Sequence, residues 1–294
     1  MARKAFLERL KAGEVLVSDG ATGTNLQQAG LPMGAGAELW VLENPDAIHA
    51  LNQAFIEAGA EILLTCTFGG TRLRLEASGL EDQFEVINRS AVEITRAAAG
   101  DRDVLVAGSI GPLGHMLAPL GLVSVEEAEA DFRDQAALLC DTGVDLIVVE
   151  TQFDLNEAGA AIRGVRAVDP AVPLVCSFSY DRGTRTMMGV KPAAMAAEIG
   201  ALDVDVLGIN CGRSLADNLA ALEELHAATE KPLWFKPNAG MPEVGKDGHA
   251  TYAVTPEEMA ALVPEWVASG AQVIGGCCGT SPEHLAAMAR VVHA

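Results

Sequence analysis

The chain has 294 residues, half of them hydrophobic, which suits one large core near the upper size for a single domain. Forty acidic against twenty basic residues leave a formal net charge of −20, a field that repels phosphate backbones and anionic lipid, so neither nucleic acid nor a membrane surface is an expected partner. No basic-then-apolar leader opens the chain and no apolar run is long enough to span a bilayer, so a cytoplasmic protein is expected.

Short apolar, β-branched runs alternate with longer Ala/Leu/Glu-rich stretches of helical spacing. In chain order the runs are VLVSDG (15–20), EILLTCTF (61–68), VLVAGSIGP (104–112), LIVVET (146–151), PLVCSFS (173–179), VLGINCG (206–212), PLWFKPN (232–238) and VIGGCCG (273–279). Segments such as PDAIHALNQAFIEAGA and PEEMAALVPEWVASGA lie between them and read as helices. AGAEILL, TGVDLIVV and SGAQVIGG each end a helix and begin a strand, with glycine where a helix C-terminus favours it. Eight strand–helix units predict a single-domain α/β protein, a (β/α)8 TIM barrel over residues 1–294. Continuous apolar strands fit a sheet buried on both faces. The competing architecture, a doubly wound open sheet, needs neither eight units nor a polar group at nearly every strand end.

In a barrel the working face is the C-terminal end of the strands. Those ends read Asp19-Gly20, Thr65-Cys66-Thr67, Ser109, Glu150-Thr151, Ser177 to Tyr180, Asn210-Cys211, Asn238 and Cys277-Cys278. Six cysteines in a chain this long do not suggest a disulfide scaffold. Cys211 ends the sixth run and Cys277-Cys278 the eighth, two places apart around a barrel, so the three thiols can converge on one point. Three converging thiolates with no fourth protein partner describe a tetrahedral zinc with one open position. The flanking glycines let two adjacent side chains reach the same ion, and the six histidines show no zinc spacing with the cysteines. The competing reading is small core cysteines at a tight turn. Cys140, in a helical stretch, and Cys176, in mid-strand, take that reading, and for Cys66 packing outweighs a place in the pocket.

Two other motifs fail on chemistry. GMPEVGKD (240–247) mimics a phosphate-binding loop, but Asp247 stands where Ser or Thr is required, Pro242 removes an amide donor and Glu243 repels phosphate. DGATGT lacks the third glycine of a dinucleotide fingerprint.

DGATGT, TCTFGGTRLRL, GSIGP, ET, GINCG, PNAG and GGCCGT stand in the order found in the homocysteine-binding methyltransferase family, from about Asp19 to Thr280. The chain resembles that family, and TFGGTR and PNAG make it most similar to the homocysteine domains of the cobalamin-dependent methionine synthase branch. The resemblance implies a zinc barrel with Cys211, Cys277 and Cys278 as ligands, homocysteine sulfur as the fourth ligand, and methyl transfer to that sulfur giving methionine. It also implies that Asp19 and Glu150 bind the substrate ammonium and that Gly20 and Thr65 help to position the substrate. For Asp19 a helix N-cap is the competing role, and for Glu150 a salt bridge to a barrel arginine. Two roles stand for Asn238: capping zinc before substrate arrives, as in some relatives, or a strand-end hydrogen bond.

No folate, cobalamin or activation module is legible after GGCCGT, so the methyl donor is expected on a separate methylcobalamin (corrinoid) protein. The alternatives are a self-sufficient transferase using S-methylmethionine or betaine, and a homocysteine-binding module without turnover. A small onium donor would profit from an aromatic cage, yet aromatics are 4% of the chain, with Phe68, Tyr180 and Trp234 the few near strand ends.

Overall fold

The structure, a computed structural model, describes residues 2–244 and 250–294. Each apolar run of the sequence becomes a barrel strand: β1 (Leu16–Val17), β2 (Ile62–Leu64), β3 (Leu105–Ile110), β4 (Leu146–Gln152), β5 (Leu174–Phe178), β6 (Val206–Cys211), β7 (Leu233–Pro237) and, after a two-stranded hairpin of β8 (Pro242–Val244) and β9 (Ala250–Tyr252), β10 (Ala271–Ile274). The parallel sheet runs β1-β10-β7-β6-β5-β4-β3-β2, and a bridge between Ser18 and Ile62 joins its two edges into a ring. The expected (β/α)8 barrel is therefore present. Residues Gly245–Asp247 of the rejected phosphate-loop segment lie outside the described residues, while its earlier part forms β8.

The two predicted helices form over Pro45–Glu57 and Pro256–Ala268. Gly59, Gly143 and Gly270, which follow helices, take φ of 104°, 103° and 95°, the conformation the sequence assigns to them.

Strand periodicity sorts the core into two layers. Leu16, Ile62, Leu105, Ala107, Leu146, Val148, Val175, Val206, Trp234 and Val273 form an inner cluster with Phe6 and Leu10 of the helix Ala2–Lys11. Their alternate neighbours, among them Val17, Leu63, Val106, Ile147, Leu174, Leu207, Phe235 and Ile274, join the helices in an outer cluster. The register then carries the inner face from apolar to polar. Two residues beyond Ala107, Val148, Val175 and Trp234 stand Ser109, Glu150, Ser177 and Lys236, all buried, and Asn210 lies four beyond Val206. This polar layer is the floor of the candidate site.

Candidate active site and metal centre

A cavity of about 610 Å³ opens above that floor and is lined by Gly20, Thr65, Ser109, Glu150, Lys236 and the three cysteines, with the segment Gly34–Glu38 and Arg74 on its wall. The strand-end reading therefore brought most of the expected residues into one place. Asp19 and Asn238 sit immediately behind the lining.

The Sγ atoms of Cys211, Cys277 and Cys278 lie within 4.8 Å of one another. Among the described residues no fourth His, Cys, Asp or Glu joins the group. Local backbone makes the convergence possible. On a regular strand Asn210 and Cys211 would point to opposite faces, but Cys211 takes φ 62°, a left-handed conformation rare for a side chain of this kind. Thr151, beside Glu150, does the same at φ 59°. After β10 the chain turns tightly, and a Cβ on Gly276 would lie 2.3 Å from Thr280 Oγ1. Gly279, at φ 81°, packs its backbone flat on the Tyr252 ring, where a Cβ would meet Cγ at 2.2 Å.

Each sulfur has a supporting donor from outside the group, and Cys211 also has the Gly212 backbone N–H. Asn238 Nδ2 lies 3.5 Å from Cys211 Sγ and Asn210 Nδ2 3.9 Å from Cys277 Sγ, and the Tyr252 hydroxyl hydrogen-bonds Cys278. Hydrogen bonds from Cys277 and Cys278 hold the Cys211 thiol far below its ordinary range, and in exchange those of Cys277 and Cys278 are pushed up. One anionic sulfur shared among three thiols is a site that gathers negative charge. Soft sulfur donors in a group of three, with one direction open to a cavity, fit zinc.

Asn210 connects the metal group to the substrate side. Its Oδ1 accepts from Thr151 N at 2.9 Å and Ser177 Oγ at 2.7 Å, and its Nδ2 donates to Thr151 Oγ1 at 2.7 Å. Asn238 makes the strand-end hydrogen bond, Nδ2 donating to Gly212 O at 2.6 Å, while its buried Oδ1 has no partner among the described residues. Glu150 Oε1 accepts from Ser109 Oγ at 2.6 Å. Burial pushes the Glu150 carboxyl up, and the Lys236 charge and the Ser109 hydrogen bond draw it back. Its compensating cation is thus a lysine, where the sequence reading offered an arginine. Thr67 Oγ1 donates to Ser109 O at 2.7 Å, so the 2.7 Å contact between Thr65 and Thr67 hydroxyls has Thr65 as donor. Thr65 Oγ1 also accepts from Ser109 N at 3.1 Å, which fixes its orientation on the cavity wall.

Asp19 does not cap the following helix, whose N-cap is Ala21. Its Oδ2 accepts from Leu64 N at 2.8 Å and its Oδ1 from Lys236 Nζ at 2.5 Å. Ser109 and Asn210 stand among the strand-end residues of the sequence reading without an assigned role, whereas Lys236 and Tyr252 were not read there as site residues. For Lys236 the signal is legible in hindsight: a lysine two residues past an inward tryptophan, inside an apolar strand, has to meet a carboxylate. Cys66 is buried and lines the cavity.

Comparisons with known proteins place the chain in a family. A family model described as homocysteine S-methyltransferase matches residues 16–292. The methionine synthase of Mycobacterium leprae (strain TN) is 31% identical over 98% of this chain and 25% of its own length, and that of Mycobacterium tuberculosis (strain ATCC 25618 / H37Rv) 31% identical over 95% and 24%. The chain thus spans about a quarter of the length of these curated relatives. The metallated form of the homocysteine methyltransferase MmuM from Escherichia coli superposes with a TM-score of 0.81 at 29% identity, over 99% of both chains. With its barrel, its three converging cysteines and a family match across nearly its whole length, the chain belongs to the homocysteine S-methyltransferase family.

Proposed function

We propose that this chain transfers a methyl group to the thiol of homocysteine, giving methionine, with zinc held by Cys211, Cys277 and Cys278 and with a methylcorrinoid protein as the donor in trans. The observation that carries the reading is the three-sulfur group on the floor of a cavity that also presents Glu150 and Lys236. Zinc held there would supply a thiol pKa lowered from about 8.5, so that the nucleophile is a thiolate at neutral pH.

The protein's own residues do the remaining work. Glu150 receives the substrate ammonium, and Ser109 and Asn210 hold its carboxylate in place. Gly20 lines the cavity with its backbone and is held to glycine by packing, since a Cβ there would strike Phe55 Cε1 at 2.7 Å and Thr280 O at 2.9 Å. Asn210, Asn238 and Tyr252 fix the directions of the three sulfurs. Homocysteine sulfur gains the methyl carbon and gives its proton to solvent, and the donor keeps the electron pair of the broken bond.

Two features favour a donor carried by another protein. Six of the nine exposed large hydrophobics among the described residues, Met33, Met116, Leu120, Leu122, Met187 and Met241, lie on connections that leave the C-terminal ends of barrel strands. Leu122 is 99% exposed. An apolar rim around the site suits a protein that presents a large planar cofactor. Of the three aromatics considered for an onium cage, only Phe68 lines the cavity, while Tyr180 and Trp234 are buried in the core. The second reading, a self-sufficient transferase with a small donor, draws support from the end-to-end match to MmuM. Supplying homocysteine with methylcobalamin, a methylated corrinoid protein, S-methylmethionine or betaine, and measuring methionine, separates them. Methionine is expected with the methylcorrinoid donors and little with the others. Efficient turnover on a small donor without corrinoid would overturn the trans-donor reading.

A further inference from the structure

Two buried carboxylates, Asp19 and Glu150, flank one buried lysine, and only Glu150 and Lys236 reach the cavity surface. Both oxygens of Asp19 already have partners inside the protein, Leu64 N on Oδ2 and both Lys236 Nζ and Ser18 Oγ on Oδ1. The Lys236 ammonium is in the opposite position. It is 3% exposed and has three N–H donors, yet among the described residues its one hydrogen-bond acceptor is Asp19 Oδ1. The Trp234 ring, 5.8 Å from Nζ, supports the cation from behind without using a donor. Two donors of a desolvated cation are therefore left for whatever enters the cavity, and leaving them unmet is costly.

The floor thus shows an anion and a cation side by side, complementary to an α-amino acid zwitterion. We infer that Lys236 binds the substrate carboxylate while Glu150 alone binds the ammonium, and that Asp19 is a positioning residue acting through Lys236. This deepens the homocysteine reading and rests on it. It also moves Asp19, which family resemblance assigns to the ammonium, out of direct contact with substrate.

The test compares two ligands by calorimetry on the full, metal-loaded chain: homocysteine, and 3-aminopropane-1-thiol, which keeps thiol and amine but has no carboxylate. The natural protein is expected to favour homocysteine by at least about tenfold, as a charge-assisted contact should give. Lys236→Met is expected to weaken homocysteine about tenfold to hundredfold while leaving the aminothiol unchanged or tighter, so that the preference collapses. Equal weakening of both ligands would mean that Lys236 only neutralises Asp19, and would overturn the inference. Should Lys236→Met fail to fold with Asp19 left unpaired, Asp19→Asn/Lys236→Met removes both charges and is expected to show the same lost preference; a retained preference in it overturns the inference. A natural protein that binds homocysteine no better than the aminothiol sinks the carboxylate contact alone. One that binds neither sinks the homocysteine reading with it.

Discussion

Cys211 carries two demands on one residue: its sulfur has to face Cys277 and Cys278, and its backbone has to leave the strand at φ 62°. Holding a non-glycine residue there costs about 1–3 kcal/mol, which the packing of β5, β6 and β7 around it offsets. A metal site is a good reason to keep such strain. Cys211→Ser, Cys277→Ser and Cys278→Ser are each expected to abolish stoichiometric zinc, because the hard hydroxyl is a poor ligand and two thiolates do not close the set. Cys140→Ser, half-buried against the core and outside the cavity lining, is expected to keep zinc. Metal analysis on the purified variants checks this, and full zinc in any of the first three would refute the assignment. Glu150→Gln keeps the shape and the Ser109 hydrogen bond but loses the charge. Homocysteine binding is expected to fall about tenfold to hundredfold with zinc retained. Unchanged affinity by calorimetry would place the ammonium elsewhere. At this scale the cysteines were legible because Cys-Cys between glycines has few structural uses. Asn210 and Tyr252 were not, because an asparagine at a strand end and a tyrosine in a loop look the same whether or not a sulfur is nearby.

The turn after β10 shows how an element serves the site. Gly275 and Gly276 bring the backbone against β1, where Gly276 N donates to Asp19 O at 3.0 Å, and Gly279 closes the turn under the Tyr252 ring. Tyr252 belongs to β9, so a two-stranded hairpin outside the barrel supports one of the metal-group sulfurs. Gly279→Ala would place a methyl at 2.2 Å from that ring and force a side chain into φ 81°. A stability loss of more than about 1 kcal/mol is expected, together with faster zinc loss to a chelator as Tyr252 leaves Cys278. Denaturant titration and a chelator time course check it, and a variant matching the natural protein in both would show that Tyr252 is not wedged there. The sequence showed the strand and the helix on either side of this turn but not the hairpin. Three-residue strands carry too little alternation to be told from loop, and the contact of Tyr252 with Gly279 joins residues far apart in the chain.

Across the whole molecule the acidic excess and one buried acid point the same way. Glu157 sits under the connection that follows β3, accepting from Leu113 N at 2.7 Å, and burial pushes its carboxyl up to about 7. An unfolded glutamate titrates near 4.3. Between those values the folded state binds more protons than the unfolded one, so the contribution of Glu157 to stability is present at low pH and is lost as pH rises towards 7. Glu157→Gln is expected to flatten that slope and to be more stable than the natural protein above pH 7, by up to about 4 kcal/mol. The net charge of −20 adds a repulsion of the same sign to both proteins, so their difference isolates the residue. Denaturation at pH 5 and pH 8 reads it, and parallel pH curves would show that Glu157 titrates normally. The architecture itself was in the sequence: a strand buried on both faces has to be apolar throughout, so eight such runs, each followed by a helical stretch, name the barrel and the end of it that carries chemistry. What the sequence could not show is which charges meet. Asp19 and Lys236 are 217 residues apart and adjacent only because β1, β10 and β7 are neighbours in the closed ring. A charged side chain in an apolar strand announces that it needs a partner; ring closure and strand register decide that the partner of Asp19 is Lys236, and leave Glu150 facing the cavity.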